Sequence, residues 1–72
     1  MTNTTDIETK IFKAMEAAWR ARQMGAAAMQ EALCDHIVYL GHDLIAALGH
    51  AEAMKRMNAM RIDSNVSARA AA

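Results

Sequence analysis

The residues of this 72-residue chain that could carry out chemistry are concentrated between positions 34 and 50. The single cysteine and all three histidines lie there, and two of the histidines occur in matching Leu-Gly-His tripeptides at 40–42 and 48–50. A zinc site on one helix needs ligands on one face, commonly four residues apart, whereas these histidines are six and eight residues apart. We therefore expect neither a metal nor a cofactor at the residues with suitable side chains: Cys34, Asp35, His36, His42, Asp43 and His50.

A catalytic pairing of Cys34 with Asp35 or His36 is not expected either. Residues one and two positions apart on a helix do not face each other, so neither neighbour can activate the thiol. The chain also has no glycine-rich phosphate loop and no nucleophile elbow. These observations predict a protein that is not an enzyme.

The composition predicts an all-α protein. There is no proline and there are only three glycines, while alanine and methionine are abundant. Eight basic residues balance eight acidic ones, which argues against a general nucleic-acid binder because such proteins need a basic face. The lone cysteine fits a reducing cytoplasm, and no apolar run is long enough to predict a membrane span.

The hydrophobic pattern of the first third predicts a helix over about residues 6–24. Ile7, Ile11 and Met15 follow one another at steps of four and form one apolar face. Thr5 and Glu8 have the spacing of a capping box at its start, and the helix is expected to end before Gly25.

A second, longer pattern runs over about residues 26–62. Its apolar positions alternate steps of three and four and keep their phase through Gly41 and Gly49. This predicts one continuous helix of about 36 residues, roughly 55 Å long, followed by a loose tail over 64–72. The alternative is a break at Gly49, which would give three helices.

The different lengths of the two helices predict a dimer. The first predicted helix (helix 1, about 6–24) could fold back over only half of the second (helix 2, about 26–62). The apolar residues in the second half of helix 2 would then stay exposed to solvent. We therefore predict an all-α helical hairpin that assembles as an antiparallel homodimeric helical bundle. The predicted dimer interface consists of Leu33, Ile37, Leu40, Gly41, Leu44, Ile45, Leu48, Ala51 and Met54.

The face of helix 2 that points away from these apolar positions predicts a partner-binding strip. It carries the only tyrosine, and tyrosine is common among the residues that dominate binding energy. Methionine is flexible and suits surfaces that adapt to different partners. The predicted partner-binding residues are Tyr39, Asp35, Asp43, His50, Met57 and Met60.

The chain resembles the anti-quorum-sensing proteins of temperate phages in its size, its first helix TTDIETKIFKAMEAAW and the segment DHIVYLGHD. The resemblance implies a dual inhibitor in the host bacterial cytoplasm. One implied target is a LuxR-type quorum-sensing activator, bound at its DNA-binding domain. The other is the type IV pilus assembly ATPase. Only Tyr39 is carried over as a binding residue. Two other functions stay open: a structural coiled-coil assembly module, and a small DNA-binding regulator that uses Lys55, Arg56 and Arg61.

Overall fold

The computed structural model describes residues 4–71 and confirms an all-α protein. The chain forms α1 (Thr4–Gln23), α2 (Ala27–Leu48) and α3 (His50–Ala71), with no strand in the described part. Helices of these lengths are each about 30–33 Å long at 1.5 Å per residue. The Cα envelope measures 35 × 23 × 20 Å, so the three helices lie side by side as a bundle.

The turn between α1 and α2 is the one predicted from Gly25. Gly25 has a φ of 72°, a left-handed conformation that glycine adopts without strain. The Ala26 amide donates to the Ala21 carbonyl (2.9 Å) and the Gly25 amide donates to the Arg22 carbonyl (3.2 Å), which together form a Schellman motif. This motif ends α1 and reverses the chain.

Helix α1 begins at Thr4, one residue before the cap residue that was predicted. Thr5 lies inside the first turn of α1, where its carbonyl accepts a hydrogen bond from the Thr9 hydroxyl (2.8 Å). Glu8 also makes a contact that the sequence did not predict. Its carboxylate accepts a hydrogen bond from Arg56 of α3 (3.1 Å) and joins the two helices.

The prediction of one continuous helix over 26–62 was wrong, and the alternative break at Gly49 is what the structure contains. Gly49 has φ 87° and ψ 158°, a conformation that is almost exclusive to glycine. Its amide donates to the Ile45 carbonyl (2.8 Å) and its carbonyl accepts from the Ala53 amide (3.0 Å), so one residue separates α2 from α3. The side of α3 that faces the core carries Ala53, Met57 and Met60, not the Ala51 and Met54 of the predicted continuous pattern.

The prediction of a loose tail over 64–72 was also wrong for the described residues. Helix α3 continues to Ala71, and Ser64 and Ala68 are fully buried on its inner face. Ser64 donates its hydroxyl hydrogen to the Arg61 carbonyl (3.1 Å), so its burial leaves no unpaired polar group. Residue 72 lies outside the described part.

The core joins all three helices, with α1 and α3 running parallel. Arg56 contacts Glu8, and farther along the Ser67 hydroxyl donates to the Glu16 carboxylate (2.8 Å), so both helices advance in the same direction. Helix α2 packs against both and runs in the opposite direction. The central buried side chains are Ile7, Ile11, Leu40, Leu44 and Ala53.

The premise of the predicted dimer fails because α3 folds back over the second half of α2. Leu40, Gly41 and Leu44 are buried within a single chain. The remaining interface candidates are partly or largely accessible: Ile37, Ile45 and Leu48 pack partly against the core, Leu33 is half-buried, and Ala51 and Met54 are exposed. A single chain therefore covers, at least in part, most of the residues that were predicted to contact a second copy.

Candidate protein-binding face

The outer side of α2 carries a row of four exposed residues at steps of four: Glu31, Asp35, Tyr39 and Asp43. Residues four apart on a helix are surface neighbours, and this row spans about 18 Å. Tyr39 stands between two aspartates, and 69% of it is accessible to solvent. We call these four residues the acidic tyrosine row.

The row has an unbalanced charge. Helix α2 contains three acidic residues and no lysine or arginine, whereas α1 and α3 each contain four basic residues. The ion pairs of the described residues join Arg20 to Glu16, and Arg56 to Glu8 and Glu52; none reaches α2. The negative charge of α2 is therefore presented to solvent.

The contrast with Arg56 shows how the other helices neutralise their charges. Its guanidinium donates to Glu52 (3.0 Å) and to Glu8 (3.1 Å). These two hydrogen bonds raise the pKa of Arg56 above its ordinary value, and the bond that it donates to Glu52 has the larger effect. Arg56 is one of the three basic residues that a DNA-binding regulator would use, and its guanidinium is already paired with carboxylates of the same chain.

The acidic tyrosine row does not stabilise the helix that carries it. Glu31 and Asp35 are like charges four residues apart, an arrangement that destabilises a helix by about 0.2–0.5 kcal/mol. An exposed tyrosine adds little to the free energy of folding, since its ring is not packed in the core. The stability of α2 therefore gives no reason for the composition of this row.

The structure keeps part of the predicted partner-binding strip together and divides the rest. Asp35, Tyr39 and Asp43 share the outer face of α2. His50 is exposed but belongs to the first turn of α3, beyond the reversal. Met57 and Met60 do not extend the face. Both lie on α3 and pack partly against the core, because the reversal at Gly49 turns that side of α3 inward.

Sequence reasoning missed one member of the row, Glu31. Its position four residues before Asp35, in a stretch with no lysine or arginine between Arg22 and Lys55, was a signal that could have found it. Val38, which is 59% exposed beside Tyr39, was also absent from the predicted strip. Both residues enlarge the candidate face around Tyr39.

The other residues with reactive or metal-binding side chains do not form a cluster in the described part of the chain. Within residues 4–71, no group of three or more histidine, cysteine, aspartate and glutamate side chains could hold a metal ion. Cys34 is a free, exposed cysteine, and His36, His42 and His50 are exposed. None of the described helices has the length and hydropathy needed to cross a membrane.

Comparisons were made with protein-family models, with curated proteins and with solved structures. No family model, no curated protein and no solved structure matches this chain.

Proposed function

We propose that this chain is a non-catalytic inhibitor that binds the DNA-binding domain of a host LuxR-type quorum-sensing activator. The proposal combines the target implied by the resemblance to phage anti-quorum-sensing proteins with one observation, the acidic tyrosine row on α2. Binding at that domain would keep the activator from its promoter without any chemical step.

The chemistry of such a target complements the row. A DNA-binding domain presents lysine and arginine side chains that contact phosphates, so its surface is positively charged. Asp35 and Asp43 offer unpaired carboxylates about 12 Å apart along the helix. Between them, Tyr39 offers a ring on which a lysine or arginine can rest. The row and a phosphate-binding surface would therefore attract each other, and DNA would compete for the same target residues.

Tyr39 is the residue expected to dominate the binding energy. It is large, rigid and exposed, and a tyrosine that fills a partner's pocket contributes about 2 kcal/mol or more. Tyr39→Ala should keep the fold and weaken binding at least tenfold, since a factor of ten corresponds to about 1.4 kcal/mol. A matched control is Val66→Ala, which removes an apolar side chain that is 62% exposed on α3.

The test is a promoter-binding competition. Purified activator and labelled promoter DNA are titrated with wild-type protein, Tyr39→Ala, the Asp35→Asn/Asp43→Asn double variant, and two controls, Val66→Ala and Asp63→Asn. We expect the wild type and both controls to release the DNA and the row variants to fail, with thermal melts showing that all are folded. Release of DNA by the row variants as efficiently as by the wild type would refute the proposal.

The resemblance also suggests the type IV pilus assembly ATPase as a second target. We propose the same row for it, and the same variants test this by pull-down with the ATPase. The two remaining functions give different results. A small DNA-binding regulator would bind duplex DNA by itself with strong salt dependence. A coiled-coil assembly module would associate with helical partners regardless of Tyr39.

A further inference from the structure

A cavity of about 570 Å³ lies on a different side of the bundle from the acidic tyrosine row. It is formed by the C-terminal halves of α1 and α3 and the N-terminal half of α2. Met15 and Ile37 contribute apolar surface, and Gln30 and Asn65 contribute side-chain amides. Pockets of about 300–1,000 Å³ accommodate small organic molecules.

Three arginines give this cavity an unusual charge. Arg22 of α1 and Arg61 and Arg69 of α3 all line it, and no aspartate or glutamate does. None of the three takes part in the ion pairs of the described residues, which use Arg20 and Arg56 instead. Three guanidinium groups around one space repel each other, and an anion bound there would relieve that repulsion.

Helix electrostatics explains only part of this arrangement. Arg22 and Arg69 lie in the last turns of α1 and α3, where a positive charge interacts favourably with the helix dipole. Arg61 lies in the middle of α3 and gains no such stabilisation. It nevertheless lines the same cavity as the other two arginines.

The remaining distinctive residue of the cavity is Trp19, the only tryptophan of the chain. A tryptophan ring offers a flat apolar surface on which another planar ring can stack. Guanidinium groups match the geometry of phosphate oxygens and bind them through paired hydrogen bonds. A cavity that carries both features suits a molecule with a planar ring at one end and a phosphate at the other.

We propose that this cavity binds a small phosphorylated heterocycle of the nucleotide class, with the phosphate among Arg22, Arg61 and Arg69 and the ring against Trp19. The inference is independent of the proposed function, because the row on α2 contributes none of these residues. Binding would also stabilise the bundle, since the ligand contacts all three helices.

Titration of the full chain with adenosine monophosphate tests the proposal, because Trp19 is the sole source of tryptophan fluorescence. We expect a saturable change in emission, weakened by added salt, and a matching signal by calorimetry. Adenosine, which lacks the phosphate, and inorganic phosphate, which lacks the ring, should each bind at least tenfold more weakly. Equal binding of either fragment would overturn the assignment of the cavity to a nucleotide.

Charge-removing variants connect the signal to the cavity. Arg61→Gln should weaken adenosine monophosphate at least tenfold, and Arg69→Gln serves as a second variant if the first melts at a lower temperature. Arg20→Gln removes a basic residue that is paired with Glu16 outside the cavity and should bind as the wild type does. No saturable signal at millimolar nucleotide, or unchanged binding by a folded Arg61→Gln variant, would overturn the proposal.

Discussion

Gly41 of α2 lies directly against Met57 of α3. A Cβ atom placed on Gly41 would be 2.9 Å from Met57 Cε and 3.3 Å from Met57 Sδ, closer than side chains normally approach. The two residues are equally distant from Gly49 along the chain, as expected for two helices that fold back on each other at that residue. Gly41, which was predicted to lie in a dimer interface, therefore packs against a helix of its own chain.

This contact predicts how Gly41 variants behave. Gly41→Ala should be nearly neutral, because the flexible end of Met57 can move and alanine is about 1 kcal/mol better than glycine inside a helix. Gly41→Val should lower the free energy of unfolding by about 1–3 kcal/mol through overpacking. In a denaturant titration, adding Met57→Ala to the valine variant should recover part of the loss. Strictly additive effects of the two substitutions would contradict the contact.

Replacing Gly49 should destabilise the three-helix fold. An alanine at φ 87° and ψ 158° is strained by about 1–3 kcal/mol, which lowers the melting temperature by about 4–8 °C for each kcal/mol in a domain of this size. Gly49→Ala should therefore melt well below the wild type in a circular-dichroism scan. A melting temperature equal to that of the wild type would mean that the reversal is not at this residue.

The same variant should also change the oligomeric state. Alanine favours a helix through position 49, and the apolar pattern keeps its phase there, so a straightened α2–α3 segment would have to bury its faces against a second chain. We expect light scattering to show a larger dimer fraction for Gly49→Ala than for the wild type. Gly25→Ala, which strains the other turn, is the control and should lower stability without this increase in mass.

Leu44 and Ile11 are the large apolar side chains that are fully buried in the core of the described residues. The side chain of Leu44 lies among residues of all three helices, so Leu44→Ala should lower the free energy of unfolding by about 2–5 kcal/mol. Val38→Ala, on the same helix but 59% exposed, should change it by no more than about 0.5 kcal/mol. Similar losses for both variants in urea titrations would show that the core is not where the structure places it.

The end of α3 offers a matched pair of alanines. Ala68 is fully buried and Ala70 is exposed, and both lie near the end of the helix. Ala68→Leu should overpack the bundle and lower the free energy of unfolding by about 1–3 kcal/mol, whereas Ala70→Leu should have little effect. Equal stability of the two variants would support the loose tail that the sequence suggested.

The features that could be predicted from the sequence depend on neighbours along the chain. Helix 1 follows from apolar residues at steps of four, its end follows from Gly25, and the exposure of Tyr39 follows from its angle to the apolar seam. The like charges of Glu31 and Asp35 are also visible in the sequence. These properties are set within one or two helical turns, so local spacing contains the information.

Only the tertiary structure decided how the second half of the chain is used. The apolar spacing on the two sides of Gly49 is compatible with one long helix, so local periodicity predicted continuity. The reversal buries Ala53, Met57 and Met60 in place of Ala51 and Met54. The choice depends on burial: reversal places Ala53 beside Leu44 in a core that one chain completes by itself. It also turns Met57 inward and brings Arg22 of α1 to the same cavity as Arg61 of α3, which are far apart in sequence.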